Sequence, residues 1–229
     1  MLEMPAHLRS RWWDHEVMDA TIWPFAALRI ATPTLELRYP DDDGLVALMR
    51  LAAEGIHDPA TMPFNEPWTR VESPELERRG LQHHWMVRAT LSRDDWRLPL
   101  AVCVDGEVLG IQAIGAKQFF VRRTVDTGSW LVRRAQGKGL GTEMRAAVLH
   151  LAFAGLAAEE AHSGSFADNP ASAAVSRHNG YVANGEEIVE REGEPARMQR
   201  WVLTRARWTP QRRDDITIDG LDACLPLLT

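Results

Sequence analysis

Cysteine is scarce in this sequence: of 229 residues, only Cys103 and Cys224 carry a thiol. Two cysteines this far apart provide neither a disulfide framework nor the paired spacing of a zinc site. Cys103 lies in the apolar run LPLAVCV, where a small hydrophobic core residue is expected. A metal site and a disulfide-rich fold are therefore not predicted, and both thiols suit a reducing cytoplasm.

Long hydrophobic runs and an excess of positive charge are also missing. No segment approaches the roughly 18 apolar residues of a membrane span, and the first 20 residues lack the unbroken apolar core of a signal peptide. The formal net charge is −6, so bulk electrostatics do not favour nucleic acid. We expect a cytoplasmic protein without nucleic-acid or membrane partners, with an N-terminal extension over residues 1–20 and a single domain over residues 21–229.

The first half of the chain shows one extended and two helical patterns. An extended segment is expected over residues 28–40, and a first helix is expected after the aspartates at 41–43. Ser73 and Pro74 have the residue types of an N-cap and a first helical position. The second helix is expected to carry apolar residues as far as Trp96.

The second half alternates strands with helices. From residue 98 the hydrophobic period changes to two, and Asp105-Gly106 is typical of a hairpin turn. A third strand, a glycine-rich stretch and a helix follow. Asn169, Pro170 and Gly180 have the residue types of the N-cap, first position and C-terminal glycine of another helix. With a final strand pair, this order predicts an α/β (α+β) fold whose sheet is mixed and mostly antiparallel, flanked by helices.

The stretch RAQGKGLGT, residues 134–142, runs directly into a strongly helical segment. A strand followed by glycines and a helix leaves the first N–H groups of the helix unpaired, and the helix dipole then favours an anion such as pyrophosphate. The P-loop pattern is absent because Lys138 precedes Gly139, and the dinucleotide pattern fails because Thr142 stands where the third glycine belongs. Glycine clusters alone also suit a flexible connection.

Two segments resemble one known superfamily. Arg134-x-x-Gly137-x-Gly139 resembles the Q/R-x-x-G-x-G/A motif of the GNAT superfamily of N-acetyltransferases, whose amides bind the pyrophosphate of coenzyme A. VDTGSWLVRRAQGKGLGTE and NPASAAVSRHNGY are similar to the two motifs of its RimJ/RimL branch, with Tyr181 for the usual Phe. The resemblance runs through most of residues 28–208. A narrower likeness, in HDPATMPFNEPWT and DGLDACLPLL, is to an actinobacterial subgroup that includes a probable succinyl-CoA transferase.

The resemblance implies a GNAT fold with a V-shaped splay at the acyl-CoA site. It implies an enzyme that moves an acyl group, acetyl or succinyl, from acyl-CoA to an amine by direct attack in a ternary complex, without a metal. The acceptor is left open among protein N-termini, lysines and small molecules, and a homodimer or higher homo-oligomer is expected from relatives. The residues implied to bind coenzyme A are Leu131, Val132, Gln136, Gly137, Lys138, Gly139, Leu140, Gly141, Thr142, Asn169 and Ser172.

Two residues are implied to act in catalysis. Ser172 matches the serine that protonates the leaving thiolate in some relatives, although a helical serine also bonds back to the main chain. Asp126 stands in place of the branch's strand glutamate, a candidate general base; it is one methylene shorter, which favours a bridging water, and it also fits a solvated strand residue. Ser176 replaces the tyrosine acid of many members. A non-catalytic acyl-CoA-binding or sensing domain therefore stays an alternative.

Overall fold

The computed structural model describes residues 18–229, so the predicted extension over residues 1–20 lies almost wholly outside the described part. The strands are β1 (Arg29–Ala31), β2 (Glu36–Arg38), β3 (Asp95–Val104), β4 (Glu107–Lys117), β5 (Thr124–Leu131), β6 (Glu160–Phe166), β7 (Val182–Arg191), β8 (Glu194–Thr204) and β9 (Thr217–Asp219). The helices are α1 (Asp42–Ala53), α2 (Glu75–Ala89), α3 (Phe119–Arg122), α4 (Leu140–His150), α5 (Pro170–His178), α6 (Arg205–Trp208) and α7 (Leu225–Leu228).

All of these strands belong to one sheet, in the order β7-β8-β6-β5-β4-β3-β2-β1-β9. Neighbouring strands are antiparallel except β5 and β6, which are parallel. Helix α1 packs on one face of the sheet and α4 on the other. The predicted mixed, mostly antiparallel sheet flanked by helices is therefore confirmed.

Short-range signals set several element boundaries as predicted. The Asp41 carboxylate accepts the Gly44 N–H at 2.6 Å and caps α1. The β3–β4 turn places Asp105 and Gly106 at φ 50° and 79°, the left-handed conformations that a tight hairpin turn requires. Gly180, at φ 81°, follows the end of α5 as expected for a C-terminal glycine.

The prediction for the second helix was wrong at both ends. Helix α2 begins at Glu75, and the Ser73 hydroxyl donates to the Glu77 carboxylate at 2.8 Å instead of capping the helix. Paired backbone hydrogen bonds between Ser92 and Asp95 form a turn after α2. Trp96 therefore lies in β3, where its ring is buried.

The core is divided between the two faces of the sheet. Leu45 and Met49 of α1 pack on Cys103 and Ile111, and on the opposite face Met144 of α4 belongs to the largest hydrophobic cluster. Burial raises the pKa of the Cys103 thiol to about 12, which keeps it protonated and inert at neutral pH. In the part of the chain that the structure describes, no helix is long and apolar enough to cross a membrane.

His84 of α2 makes the folded state sensitive to acid. Its ring is buried beside His83, Arg88 and Arg97, and its Nδ1 atom has no hydrogen-bond partner within residues 18–229. Burial and, to a lesser degree, these positive charges lower the pKa of His84 from 6.5 to about 4. The unfolded chain therefore binds more protons than the folded chain between these two values, so the His84 contribution to stability falls as pH decreases through this window.

We expect wild-type protein to lose about 3 kcal/mol of unfolding free energy through His84 alone between pH 6.5 and pH 4. The His84→Gln variant should show a correspondingly shallower pH dependence, because its side chain does not titrate. Urea unfolding at several pH values measures both. His178→Gln, at an exposed histidine of α5, is the control and should retain the wild-type slope; equal slopes for wild type and His84→Gln would contradict the assignment.

Candidate functional site

Strands β5 and β6 separate after a short parallel pairing. Their register joins residues 124–126 to residues 160–162, after which each strand continues without the other. Side chains hold the apex of the gap: the Thr127 hydroxyl donates to the His162 carbonyl at 3.1 Å and lies 3.2 Å from the Tyr181 hydroxyl. The Ser163 hydroxyl donates to the Thr127 carbonyl at 3.4 Å. This is the V-shaped splay that the resemblance implies.

The free edge of β5 faces this gap. In the antiparallel register of β4 and β5, Gly110 lies opposite Leu131, and the Val132 N–H donates to the Leu109 carbonyl at 2.9 Å. Because hydrogen-bonded and non-bonded pairs alternate along an antiparallel ladder, the Leu131 N–H points away from β4 and into the gap. Leu131 remains a candidate for pantetheine binding. Val132 requires a correction, because its amide is already engaged.

The glycine stretch forms a loop of free amides beside the gap. Gly137 and Gly139 have φ values of 72° and 82°, and a Cβ at either position would meet no atom within 4 Å. The Thr142 and Glu143 N–H groups both donate to the Gly139 carbonyl. Within residues 18–229, the N–H groups of Gly137, Gly139 and Gly141 have no hydrogen-bond partner. Unpaired amides before and within the first turn of α4, together with the dipole of that helix, can bind an anion.

Gap and loop open into one cleft of about 1180 Å³. The Gln136 side chain donates to the carbonyls of Leu131 and Ile56, each at 2.7 Å, and so ties the loop to the end of β5. Val132, Lys138 and Leu140 are not part of the cleft wall. The predicted site residues that line the cleft are Asp126, Leu131, Gln136, Gly137, Gly139, Gly141, Thr142, Asn169 and Ser172.

The start of α5 brings the second motif to the same cleft. The side-chain oxygen Oδ1 of Asn169 accepts the Ser172 N–H at 3.1 Å, so Asn169 is the helix cap. Its side-chain NH₂ has no hydrogen-bond partner among the described residues. Within the described residues, the Ser172 hydroxyl donates no hydrogen bond to the main chain, unlike a back-bonding serine. Ser176 is buried, and its hydroxyl has no partner in residues 18–229; it is not part of the cleft wall.

Asp126 lies at the apex of the splay, on the opposite face of the sheet from α4. It is the last β5 residue in register with β6, and its side chain is exposed. Successive strand side chains alternate between faces, so Asp126 points away from Thr127 and shares its face with Gly128. The Arg97 guanidinium also lies there, 3.3 Å from where a Cβ on Gly128 would be. An acceptor amine reaching the gap from this face would meet both charges.

Arg145 is the clearest residue that sequence reasoning missed. It lies on α4 with only 3% of its surface exposed, and it contributes to the cleft wall. Its guanidinium donates to Ser163 Oγ at 3.1 Å and to Ser129 Oγ and Gln112 Oε1 at 3.4 Å. Within residues 18–229 it has no carboxylate partner, which is unusual for a buried charge. The signal in the sequence was an arginine at a core-facing position, next to Met144 and three residues before Val148.

The loop after α1 contributes aromatic side chains above the gap. His57, Phe64, Trp68 and Trp130 form a continuous series, with ring centroids 5.8, 5.4 and 6.3 Å apart in that order. Trp130 belongs to β5 itself, so the series packs the loop onto the splayed strand. Among residues 18–229, no group of three or more histidine, cysteine, aspartate or glutamate side chains could hold a metal ion.

The acetyltransferase (GNAT) domain family matches residues 34–182 of the chain. A solved acetyltransferase from Salmonella typhimurium, which modifies the N-terminal serine of ribosomal protein L7/L12, is 20% identical, with a TM-score of 0.61 over 76% of this chain and 96% of that one. A RimL ribosomal L7/L12 α-N-protein acetyltransferase in complex with coenzyme A is 21% identical, with a TM-score of 0.58 over 76% and 95%. A spermidine N-acetyltransferase chimera from Vibrio cholerae and hSSAT is 15% identical, with a TM-score of 0.60 over 77% and 98%. These structures share the fold.

Proposed function

Because the chain belongs to the GNAT acetyltransferase family, we propose that it transfers an acyl group from acyl-CoA to an amine in a ternary complex. One observation carries this proposal: the free edge of β5 and the unpaired amides of the glycine loop open into the same cleft. A narrow gap with backbone donors suits an extended pantetheine chain, and a cluster of free amides suits a pyrophosphate.

The pyrophosphate and the pantetheine of the donor have candidate partners in this cleft. The amides of Gly137, Gly139 and Gly141 would bind the pyrophosphate, because no acceptor in residues 18–229 pairs with them. The Leu131 N–H would bind the pantetheine or the thioester carbonyl. Asn169 would offer its side-chain NH₂ from the cap of α5. Most of these groups belong to the main chain. Donor binding should therefore tolerate many side-chain substitutions at these positions but few changes of backbone conformation.

The proposed reaction needs one base and one acid. The amine nitrogen attacks the thioester carbonyl carbon, its C–N bond forms, and its proton passes to Asp126 through a bridging water. When the tetrahedral intermediate collapses, the C–S bond breaks and the thiolate takes a proton from the Ser172 hydroxyl. Proton return from Asp126 through solvent restores the serine, so the products are an amide and free coenzyme A thiol. No acyl-enzyme is formed.

The acyl group is proposed to carry a carboxylate, as in succinyl. Arg145 supports this choice, because its buried guanidinium contacts the neutral side chains of Ser129, Ser163, Gln112 and Tyr181 and no carboxylate within residues 18–229. A buried charge is stabilised by an opposite charge with good hydrogen-bond geometry. Since Ser129 and Ser163 lie on the two separated strands, a carboxylate held by Arg145 would lie at the floor of the gap.

Thermal melts with acetyl-CoA, succinyl-CoA and free CoA test both statements. A ligand at 100 times its Kd adds about 2.7 kcal/mol, or about 5–11 °C for a chain of this size. At equal concentrations, succinyl-CoA should raise the Tm about 3–6 °C more than acetyl-CoA, as expected for a tenfold difference in affinity. Arg145→Gln should remove that difference, and Arg145→Lys should restore part of it.

The melts distinguish failure of the proposed acyl-CoA binding from failure of the carboxylate assignment. If neither acyl-CoA nor free CoA raises the Tm, the cleft does not bind the donor and the function is wrong. If acetyl-CoA and succinyl-CoA shift the Tm of wild-type protein equally, donor binding stands and the carboxylate assignment is wrong. Arg50→Gln, at an exposed arginine of α1, controls for loss of one positive charge.

A further inference from the structure

Salt bridges close one end of the face of the sheet on which Asp126 lies, from which the acceptor would approach. The Arg191 guanidinium donates to the Met62 carbonyl at 3.1 Å and pairs with Asp168 at 2.7 Å. Arg70 pairs with Glu192 through two hydrogen bonds of 2.7 and 3.1 Å. These contacts join the loop after α1 to the tip of the β7–β8 hairpin and to the end of β6. They span the splayed strands at their open end, so an acceptor approaching from that end meets a barrier.

A second groove leads to the other end of the splay. It measures about 370 Å³ and runs between the end of α2, at Val87 and Thr90, and strands β3 and β4. It shares Arg97 and Asp126 with the main cleft. Asp126 is the proposed base, so this groove ends where the acceptor amine must arrive.

The second groove has more free positive than negative charge. Its Lys117 pairs with Asp95 at 3.5 Å. Its two arginines, Arg97 and Arg122, have no ion pair and no side-chain hydrogen bond in the part of the chain that is described. Asp126 is the one remaining carboxylate on the groove wall. Arg97 interacts electrostatically with Asp126, so the groove keeps one positive charge in excess, that of Arg122. An excess positive charge beside a carboxylate complements a ligand that carries both an amine and an anion.

We propose that the acceptor enters by the second groove and bears a carboxylate or phosphate near its amine. The proposal rests on the function above: the amine lies at Asp126, and the anion lies against Arg122 and Arg97. The spacing is set by the sheet: Arg97 of β3 and Asp126 of β5 both lie opposite Gly115 of β4, so their backbones are two strand spacings apart, about 10 Å. A free amino acid with a side-chain carboxylate and a peptide N-terminus followed by an acidic residue both present this chemistry.

Two matched pairs of acceptors test the proposal and distinguish a small amine from a peptide N-terminus as the acceptor. The first pair is 4-aminobutyrate and its neutral amide; the second is the peptides Ser-Glu-Ala-amide and Ser-Gln-Ala-amide. With saturating acyl-CoA, release of free thiol gives kcat/KM for each. The acidic member of at least one pair should exceed its neutral partner by about 10- to 100-fold, the effect of a hydrogen-bonded charge pair. The pair that responds identifies a small amine or a peptide.

Variants assign the effect to the groove. Arg122→Gln should remove most of the preference for the acidic member over its neutral partner. Arg93→Gln is the control, because Arg93 is exposed, lies over the Phe120 ring at 5.1 Å and is not part of the groove wall. It should leave both members unchanged.

Three results would overturn this inference. The first is a preference for the neutral members or for spermidine over both acidic members. The second is an equal effect of Arg122→Gln and Arg93→Gln. The third is failure of both acidic acceptors to be acylated, or to bind the CoA-loaded protein in calorimetry. Because donor binding is measured separately by the melts, each of these leaves the proposed acyl-CoA site standing.

Discussion

Replacing Asp126 with asparagine is expected to lower kcat by about 100- to 1000-fold, within the range that a positioned general base contributes. Asparagine has the same shape but does not accept a proton from the attacking amine. Asp126 is exposed at the apex of the splay, so the change should not disturb packing, and the acyl-CoA-induced increase in Tm should stay as in wild type. Steady-state release of coenzyme A thiol measures the loss.

Two further variants sharpen the assignment of Asp126. Asp126→Glu restores the longer carboxylate of related enzymes and should retain most of the activity. Asp94→Asn removes an exposed carboxylate that lies outside both the cleft and the second groove, and its kcat should match wild type. A kcat for Asp126→Asn within about threefold of wild type would remove Asp126 from the mechanism, since such a loss is far smaller than a general base supplies.

Replacing Gly139 with alanine is expected to weaken acyl-CoA binding by about 100-fold. Two effects combine: the φ of 82° strains any L-residue, and the added methyl group occupies the open side of the loop where a phosphate would approach the amides. The Kd from calorimetry measures the loss, and urea unfolding measures the strain, which should be about 1–2 kcal/mol.

Gly185 provides a matched control for the backbone term. Its φ is 86°, and a Cβ there would also meet no atom within 4 Å, but it lies in β7, away from the glycine loop. Gly185→Ala should cost similar stability and leave the Kd for acyl-CoA unchanged. If both variants weakened binding equally, the loss would come from general strain, and the loop would not be the phosphate site.

The sequence alone predicted those structural elements whose determinants lie within a few residues of one another. Asp105-Gly106 fixes its hairpin because the two positions require left-handed φ values. Asn169 and Gly180 delimit α5 because one side chain caps the first turn and the other residue tolerates positive φ. The glycine loop belongs to the same class, since strand, glycines and helix are contiguous in the chain.

Prediction failed where distant parts of the chain decide. Trp96 continues a helical pattern, yet it lies in β3, where it pairs with Ala116 of β4 and its indole N–H donates to the Leu228 carbonyl, 132 residues away. Arg145 and Arg97 could not be assigned to the cleft, because their placement depends on how α4 and β3 pack around the gap. Val132 was assigned a free amide, which only the register of β4 and β5 could correct.

The sheet consists of two parts that are joined by the short parallel pairing of β5 and β6, here called the seam. Only residues 124–126 and 160–162 form backbone pairs across it, and the hydroxyls of Thr127 and Ser163 extend the connection by one position. Strands β6, β8 and β7 lie on one side and the other strands on the opposite side. A molecule that fills the seam supplies the missing lateral contacts, so occupancy and rigidity of the sheet are thermodynamically linked. We therefore expect the donor to act as a structural part of the sheet, completing the surface on which the acceptor is then held.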